Sequence, residues 1–264
     1  MLTFENYEIL RSGVAGQVVL PEDARYEESK LAWNLTTGHR PSVIVEAQSI
    51  EDVQAAVRFA ASENLGVSVQ TTGHGQPRCC TDGLLLRLDR LNDVTVDAET
   101  RVATVGGGAV WKDVILAAVA HGLAPISGSS PGVGVVGYLL GGGFGLMSRK
   151  YGLAVDNLVS AKMVLADGSL VRVSAHENSE LFWAIRGGGG AFGVVVELEI
   201  GLVPHGSVFG GNVMFDACNA RQVLAAWSEW TKTAPDEVTS AMVIITFPPV
   251  PFVPEFLHGR SMVI

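Results

Sequence analysis

The chain has 264 residues, 48% of them apolar and only 17% charged, which allows a large core and excludes a disordered chain. A net charge of −9, without any Lys/Arg cluster, argues against nucleic acid and anionic membrane surfaces as partners. Three cysteines, Cys79, Cys80 and Cys218, make no disulfide framework, and Met1-Leu-Thr-Phe-Glu5 has no leader character, so a reducing, cytoplasmic setting is expected.

Residues 1–40 are a lead-in expected to tuck a short helix, Tyr26 to Trp33, onto the body through those two aromatics. Pro41 to Ala47 is a mostly apolar run, the pattern of a strand covered on both faces. Ser49 before Ile50-Glu51-Asp52 is a capping-box signature. Ile50, Val53, Val57 and Ala60 share one face of the helix it opens, with Gly66 as terminator. Strand 67–72 then completes a β-α-β unit with parallel strands and a right-handed crossover.

That strand delivers Thr71-Thr72-Gly73-His74-Gly75 at its C-terminal end, where ligands of such sheets gather. The two glycines free the backbone, and successive N–H groups there can form an anion-seeking nest with an imidazole beside it. The alternative is a turn histidine bonded to nearby backbone, with no chemistry.

From Leu84 the rhythm changes. Leu84 to Leu88, Val94 to Asp97 and Val102 to Gly106 are short runs separated by turn residues, which predicts antiparallel strands. Gly106-Gly-Gly108 leads into a helix from Val110 to His121, with Val110, Val114, Ala117 and Ala118 as its apolar face and Gly122 as its stop. The stretch from Gly122 to Ser148 carries no formal charge, but its glycines, serines and prolines make it a buried, ligand-wrapping loop and not a membrane span.

A hairpin follows from Ala161 to Val173, with a type I′ turn at Asp167-Gly168. A helix from Ser179 to Ile185 and a strand from Phe192 to Ile200 come next. A domain boundary near Pro204-His205-Gly206 divides the chain into 1–205 and 206–264. Beyond it lie a strand (Asn212 to Phe215), a helix (Asn219 to Lys232), a strand (Ala241 to Phe247), a proline-rich connection and the opening of a strand at Ser261.

Three motifs are decoys. Gly132-Val133-Gly134-Val-Val-Gly137 reads G-x-G-x-x-G, with Asp156 about where a ribose-binding acid would lie, but Gly141–Gly143 interrupts the helix a dinucleotide motif needs. Gly128-Ser-Ser130-Pro131-Gly132 reads G-x-S-x-G, but Pro131 lacks the N–H that a nucleophile elbow offers its oxyanion. His74, Cys79 and Cys80 lack the spacing of a structural zinc site, and no metal is expected. The scattered His39, His121, His176, His205 and His258 receive no role. What remains is a set of glycine turns beside strand ends, which suits one long polyanionic cofactor held mainly by backbone.

Taken in order, these motifs resemble the PCMH-type FAD-linked oxidases of the vanillyl-alcohol-oxidase superfamily, in the branch similar to berberine bridge enzyme. The resemblance covers nearly the whole chain. Thr71, Thr72, Gly73, His74 and Gly75 match the loop that cradles the FAD pyrophosphate, and the family's flavin-linking histidine falls on His74. Val105-Gly-Gly-Gly108 with Trp111 matches the next strand-to-helix turn. Ser130, Gly132, Val133, Gly134, Gly137 and Tyr138, then Gly142 and Gly145, match the segment wrapping the isoalloxazine and ribityl chain, which puts Tyr138 near the ring. Tyr151-Gly-Leu153 and Asp156-Asn157 match the tract after it. The run from Leu181 to Val195 matches the last signature, with Gly193, Val194 and Val195 at the FAD.

The resemblance implies an α+β fold: a PCMH-type FAD-binding domain of two α/β subdomains, followed by the start of an α/β substrate (cap) domain. It implies an oxidase that takes hydride from a C–H beside O or N of a small-molecule substrate to flavin N5 and passes the electrons to O2. A non-catalytic or partner-dependent flavin-binding fragment is the alternative; a dehydrogenase that uses another electron carrier is a weaker one.

Three departures stand out. Ser130 occupies the position where doubly linked members carry cysteine, so one link, through His74, is expected. Gln70-Thr71-Thr72 stands where many members have Arg-Ser-Gly, which loses a cation near the pyrophosphate. The family's cap continues past residue 264 and carries the catalytic base, a Tyr or Glu, so the chain reads as C-terminally truncated and no catalytic residue is assigned. An unfinished cap edge invites pairing of chains.

Overall fold

The structure, a computed structural model, describes residues 3–36, 38–75, 78–204 and 206–264. The chain divides into two compact units, Met1–Gly145 with Gly152–His205, and Leu146–Tyr151 with Gly206–Ile264. His205 itself lies outside the described residues.

The first unit opens with α1 (Phe4–Gly13), where Thr3 and Asn6 cap each other's backbone N–H. Then come β1 (Gln17–Val19), α2 (Tyr26–Ser29), β2 (Val43–Glu46), α3 (Ile50–Ser62), β3 (Val67–Gln70) and β4 (Leu84–Arg87). The strands form one sheet in the order β1-β2-β4-β3, with β2, β4 and β3 parallel and β1 antiparallel at the edge. So β4 is not the first of an antiparallel set. It is inserted between the two strands of the β-α-β unit, and its Leu84-Leu85-Leu86 is fully buried, as a central parallel strand requires.

Three local expectations change here. The helix opened at Tyr26 is one turn long and stops at Ser29; Tyr26 is buried, its hydroxyl donating to Pro41 O at 2.7 Å, but Trp33 is 69% exposed. Ser49 does cap α3, its Oγ accepting from Asp52 N–H at 3.1 Å. Asp52 does not return the bond to Ser49: its buried carboxylate accepts from Ala15 (2.7 Å), Gly16 (3.0 Å) and Gln48 (2.8 Å), fastening the entry to β1 against the helix. Asn64, at φ 54°, makes the left-handed turn after α3, in place of Gly66.

The second half of this unit holds β5 (Val94–Asp97), β6 (Val102–Gly106), α4 (Trp111–Val119), β7 (Leu123–Ala124) and α5 (Val135–Leu140). After α6 (Ser148–Tyr151), which belongs to the second unit, it resumes with β8 (Leu158–Val164), β9 (Leu170–Ser174), α7 (Ser179–Gly188), β10 (Val194–Gly201) and β11 (Val203–Pro204). A five-stranded antiparallel sheet runs β5-β6-β10-β8-β9. Trp111, Val114, Leu139 and Ile185 of the helices pack with Met163 and Leu198 of this sheet in one apolar cluster. A second cluster joins the sheets, setting Val45, Val57 and Leu86 with Val164, Val194 and Val196. Two α/β subdomains thus share a core, as the α+β reading anticipated.

The uncharged stretch after Gly122 is not all loop, since it contains β7 and α5. The β8–β9 turn is not type I′ either. Only Gly168 has positive φ (77°), and Gly168 N–H donates to Leu165 O while Leu165 N–H donates to Ser169 O, both at 2.9 Å. This is a type I turn closed by a left-handed glycine. Asp167 Oδ1 accepts from Ser169 N–H at 2.8 Å and holds it there. Among the described residues no helix is long and apolar enough to cross a membrane.

In the second unit, β12 (Phe215–Asp216), α8 (Ala220–Trp230), β13 (Ile244–Thr246) and β14 (Ser261–Val263) follow, shorter than expected. The sheet order is β12-β14-β13, so the last strand is its centre. Arg149 of α6 donates to Ala234 O and Val238 O, and Lys150 pairs with Glu237 at 3.5 Å.

Candidate functional site

β3 runs straight into Thr71–Gly75. The segment Ala32–Asn34 lies alongside this loop: Trp33 N–H donates to Thr72 O at 2.9 Å and Asn34 N–H to Gly73 O at 3.3 Å. Gly73 has φ 73°, and a Cβ there would stand 2.5 Å from Ala32 Cβ, so only glycine lets the two segments close. The indole of Trp33 stacks on the imidazole of His74, with centroids 4.3 Å apart and planes at 15°. His74 Nδ1 lies 2.7 Å from Thr72 Oγ1.

A second histidine supports the loop. His39 is 1% exposed. Its Nδ1 accepts from Cys80 N–H at 2.8 Å, so its proton sits on Nε2, which donates to Gln70 Oε1 at 3.0 Å. Gln70 Nε2 in turn donates to Leu31 O at 2.8 Å. Burial pushes the His39 pKa down, which keeps the neutral ring this network needs. Spacing and composition give His39 no role and Trp33 only a packing one, not a place beside His74; both contacts depend on chain segments brought together only by folding.

Gly107 is the hub of the site. Thr71 Oγ1 donates to Gly107 O at 3.0 Å, and Gly107 N–H donates to Val196 O at 2.7 Å. A Cβ on Gly107 would stand 2.9 Å from Val195 O. Val135 N–H donates to Ala109 O, Trp111 N–H to Val133 O and Lys112 N–H to Pro131 O, which lays 131–135 along the same turn. Gly134 then meets Thr71: its Cβ would stand 3.3 Å from Thr71 Cγ2. The structure therefore brings Thr71, Thr72, Gly73, His74, Val133, Gly134 and Val195 together through main-chain bonds and the Thr71 and Thr72 side chains.

Tyr138, Gly142, Gly143 and Gly145 form a neighbouring group. Tyr138 packs edge-on to Trp111, centroids 5.5 Å apart, and fills the space a side chain on Gly128 or Gly143 would need. Its hydroxyl and Trp111 Nε1 are buried with no hydrogen-bond partner among the described residues, and burial raises the Tyr138 pKa. Gly142 O and Gly143 O accept from Val155 and Ala154 N–H. Gly145 packs against Ser127 O, and Gly193, at φ 152°, against Val164 O. Val194 is buried in β10, and Ser130 is exposed. Cys80 is buried and Cys79 exposed, and no cluster of three metal-binding side chains forms among the described residues.

Two features test what this site can hold. Among the described residues no acceptor falls to the main-chain N–H groups of Thr72, Gly73, His74 and Gly75, four donors in succession that suit anionic oxygens. Gly75, Gly132, Gly137 and Gly189 face open space where a Cβ would stand, unlike the crowded Gly73 and Gly107. Bare main chain beside a row of donors fits a diphosphate-bearing cofactor.

The sequence profile of a family described as the FAD binding domain matches residues 41–174, a span that includes the His74 loop, Gly107 and 130–145. The chain belongs to the PCMH-type FAD-binding domain family. FAD is that family's cofactor, and the site fits it.

Among relatives, (R)-6-hydroxynicotine oxidase of Paenarthrobacter nicotinovorans is 38% identical over 72% of this chain and 42% of its own length. The crystal structure of 6-hydroxy-D-nicotine oxidase from Arthrobacter nicotinovorans superposes with a TM-score of 0.84 at 29% identity, over 95% of this chain and 54% of that one. Glucooligosaccharide oxidase from Acremonium strictum, whose FAD is described as 6-S-cysteinyl and 8α-N1-histidyl, superposes at 0.80 and 29% identity over 98% and 54%. The chain spans a little under half the length of the curated relatives it matches first, 42% and 43%.

Proposed function

We propose that this PCMH-family protein is an FAD-dependent oxidase of a small molecule, removing hydride from a C–H beside N or O. The observation that carries the reading is the meeting of the His74 loop, the Gly107 turn and Gly134 around the Thr71 side chain, with four successive N–H donors that have no acceptor among the described residues. Bound FAD would supply the hydride acceptor, at N5, and the redox link to O2.

In this reading Thr72–Gly75 bind the diphosphate through their N–H groups. The bare main chain at Gly132 and Gly137 lets the cofactor approach without a side chain in the way. His74 is the covalent attachment point, and Ser130, a hydroxyl, offers no second thioether. Residues 1–205 are the FAD-binding domain and 206–264 part of a substrate-binding domain. The general base is not assigned to any described residue. The names of the relatives, oxidases of a hydroxynicotine and of an oligosaccharide, support the substrate chemistry. They weigh against a non-catalytic fragment. Three free cysteines suit a reducing, cytoplasmic setting.

The test is the intact mass of the acid-denatured chain, with peptide mapping. One FAD on the peptide carrying His74 supports the reading. Flavin released in full by acid removes the covalent role and leaves the cofactor. A colourless chain that takes up no added FAD overturns the whole reading. Hydrogen peroxide release with nicotine-like amines or oligosaccharides then tests the oxidase step.

A further inference from the structure

We propose that His39 is a positioning residue for cofactor binding: through Gln70 it sets a strap, residues 31–34, and the strap aims the Gly73 and His74 N–H groups at the diphosphate. This rests on the reading that residues 72–75 hold the diphosphate, and adds what orients their donors.

The aiming follows from peptide geometry. In a trans peptide the C=O and the N–H of the next residue point opposite ways. Trp33 N–H holds Thr72 O at 2.9 Å, so Gly73 N–H points away from the strap. Asn34 N–H holds Gly73 O at 3.3 Å, so His74 N–H does the same. These are the two central donors of the four in succession. A strap that leaves the loop frees both peptide planes to rotate, and donors that must be ordered on binding cost affinity.

A chain of side-chain bonds with a single polarity holds the strap. Leu31 O can only accept, and it takes Gln70 Nε2–H at 2.8 Å. Gln70 Oε1 is thereby turned to His39 Nε2, 3.0 Å away, and receives its proton. Cys80 N–H can only donate, and it reaches His39 Nδ1 at 2.8 Å. His39 must therefore accept on one nitrogen and donate from the other, which the neutral ring alone can do. Both side chains are buried, so water does not stand in for a lost partner. Gln70 ends β3 and Cys80 lies shortly before β4, so the ring spans the two ends of the segment that carries the donors. Main-chain bonds of Arg40 with Cys80 O (2.7 Å) and Asp82 N–H (3.0 Å) dock the His39 segment on the exit, and the ring carries the connection on to the entry.

A proton on Nδ1 sets two donors, Nδ1–H and Cys80 N–H, face to face and opens this chain of bonds. Few titratable or charged groups surround the ring. On the crossover, burial pushes the Cys80 thiol up, Ser68 bonds to it, and Asp82 is exposed. Arg40, next in sequence to His39, is exposed; β3 presents the uncharged Gln70; on the strap, Trp33 stacks on His74. Burial, opposed by the bond with Gln70, pushes the His39 pKa down. Cofactor binding needs the neutral ring, so bound protein holds that pKa lower still. Affinity is complete above the free protein's His39 pKa and is lost as pH falls through it, at most about tenfold per pH unit for one linked proton.

The test uses the full chain carrying His74→Asn, which forms no flavin link and removes the second ring from the loop. FAD, whose diphosphate diester does not ionise in this range, is titrated from pH 8 to pH 5 by flavin fluorescence, with circular dichroism reporting the fold at each pH. Affinity should be level at the upper end and weaken toward pH 5. His39→Gln, which keeps a donor and an acceptor but takes no proton, should match its parent at pH 8 and lose the slope. Gln70→Leu, which cuts the strap from the ring, should bind roughly tenfold more weakly across the range. A merely structural role would lower the melting point of these variants and leave the affinity of the folded chain unchanged. A level profile with His39 present, a slope that survives in His39→Gln, or a folded Gln70→Leu chain with its parent's affinity overturns the positioning role and leaves the diphosphate site standing. If Gln70→Leu does not fold, the His39→Gln comparison decides. A folded His74→Asn chain that binds no FAD at pH 8 removes the site and this role with it.

Discussion

The indole of Trp33 lies almost parallel to the imidazole of His74, 4.3 Å away, on a chain segment bonded to the His74 loop through Thr72 O. Because the indole is largely exposed, its removal takes little from the core. Trp33→Ala should cost about 1 kcal/mol, the scale of one aromatic pair, and a few degrees of Tm. Its effect on flavin attachment should be larger, a slowing of roughly tenfold or more, since reactive groups lose rate steeply when misplaced. Trp33→Phe keeps a stacking ring and should keep most of the rate. Thermal denaturation and a time course of adduct mass separate the two effects.

The glycines should sort into two classes. Gly73→Ala must place a Cβ at φ 73°, 2.5 Å from Ala32 Cβ. Backbone strain and overpacking together should cost about 2–4 kcal/mol. Gly137→Ala meets nothing within 4 Å and lies in α5, where alanine is the better helix former by about 1 kcal/mol. Its Tm should hold or rise while flavin retention falls. Melting curves beside flavin-to-protein absorbance ratios would show the opposite signs.

His39 should make stability fall with acid. Its pKa is depressed in the folded protein by burial, so the unfolded chain binds the proton first as pH drops. Its contribution is complete above the unfolded value of about 6.5 and is lost as pH falls toward and through the folded value. The slope in that window is at most about 1.4 kcal/mol per pH unit. Urea titrations between pH 8 and 5 should show it, and His39→Gln, which cannot titrate, should flatten it.

Asp52 is buried and accepts three backbone N–H groups from the two segments flanking it in space. Asp52→Ala leaves those donors without partners and should cost about 3 kcal/mol or more. Asp52→Asn keeps one acceptor oxygen and should lose less. Denaturant midpoints of the two variants give the comparison.

The readable parts of this chain were those written locally. Ser49 and the apolar stripe of α3 needed only i to i+4 neighbours, and the Thr71–Gly75 turn announced itself by glycine spacing. β4 was misassigned because its short length outweighed its unbroken run of leucines, the better sign of a buried parallel strand. Asp167-Gly168 looked like the two-residue turn it is not, because the bond from Ser169 to Asp167 is invisible as a pattern. Trp33 reads locally only as a packing aromatic, and His39 carries no local mark. One lies 41 residues before His74 only in sequence, and the other is joined to the loop through Gln70, so both were legible only once the strands had been placed.

The position of β4 has a consequence for how the site comes into being. β3 and β4 are parallel neighbours, so residues 71–83 are the return crossover between them, with no helix among its described residues to do that work. Most crossovers are scaffolding, and the ligand meets only their tips. Here the crossover is the segment proposed to bind the diphosphate, so completing the sheet and lining up its row of N–H donors would be one event in the folding of the chain. A diphosphate seated on Thr72–Gly75 would then act as a folding ligand as well as a cofactor. It would stabilise the parallel sheet by mass action, and permanently once a covalent bond at His74 prevents its departure.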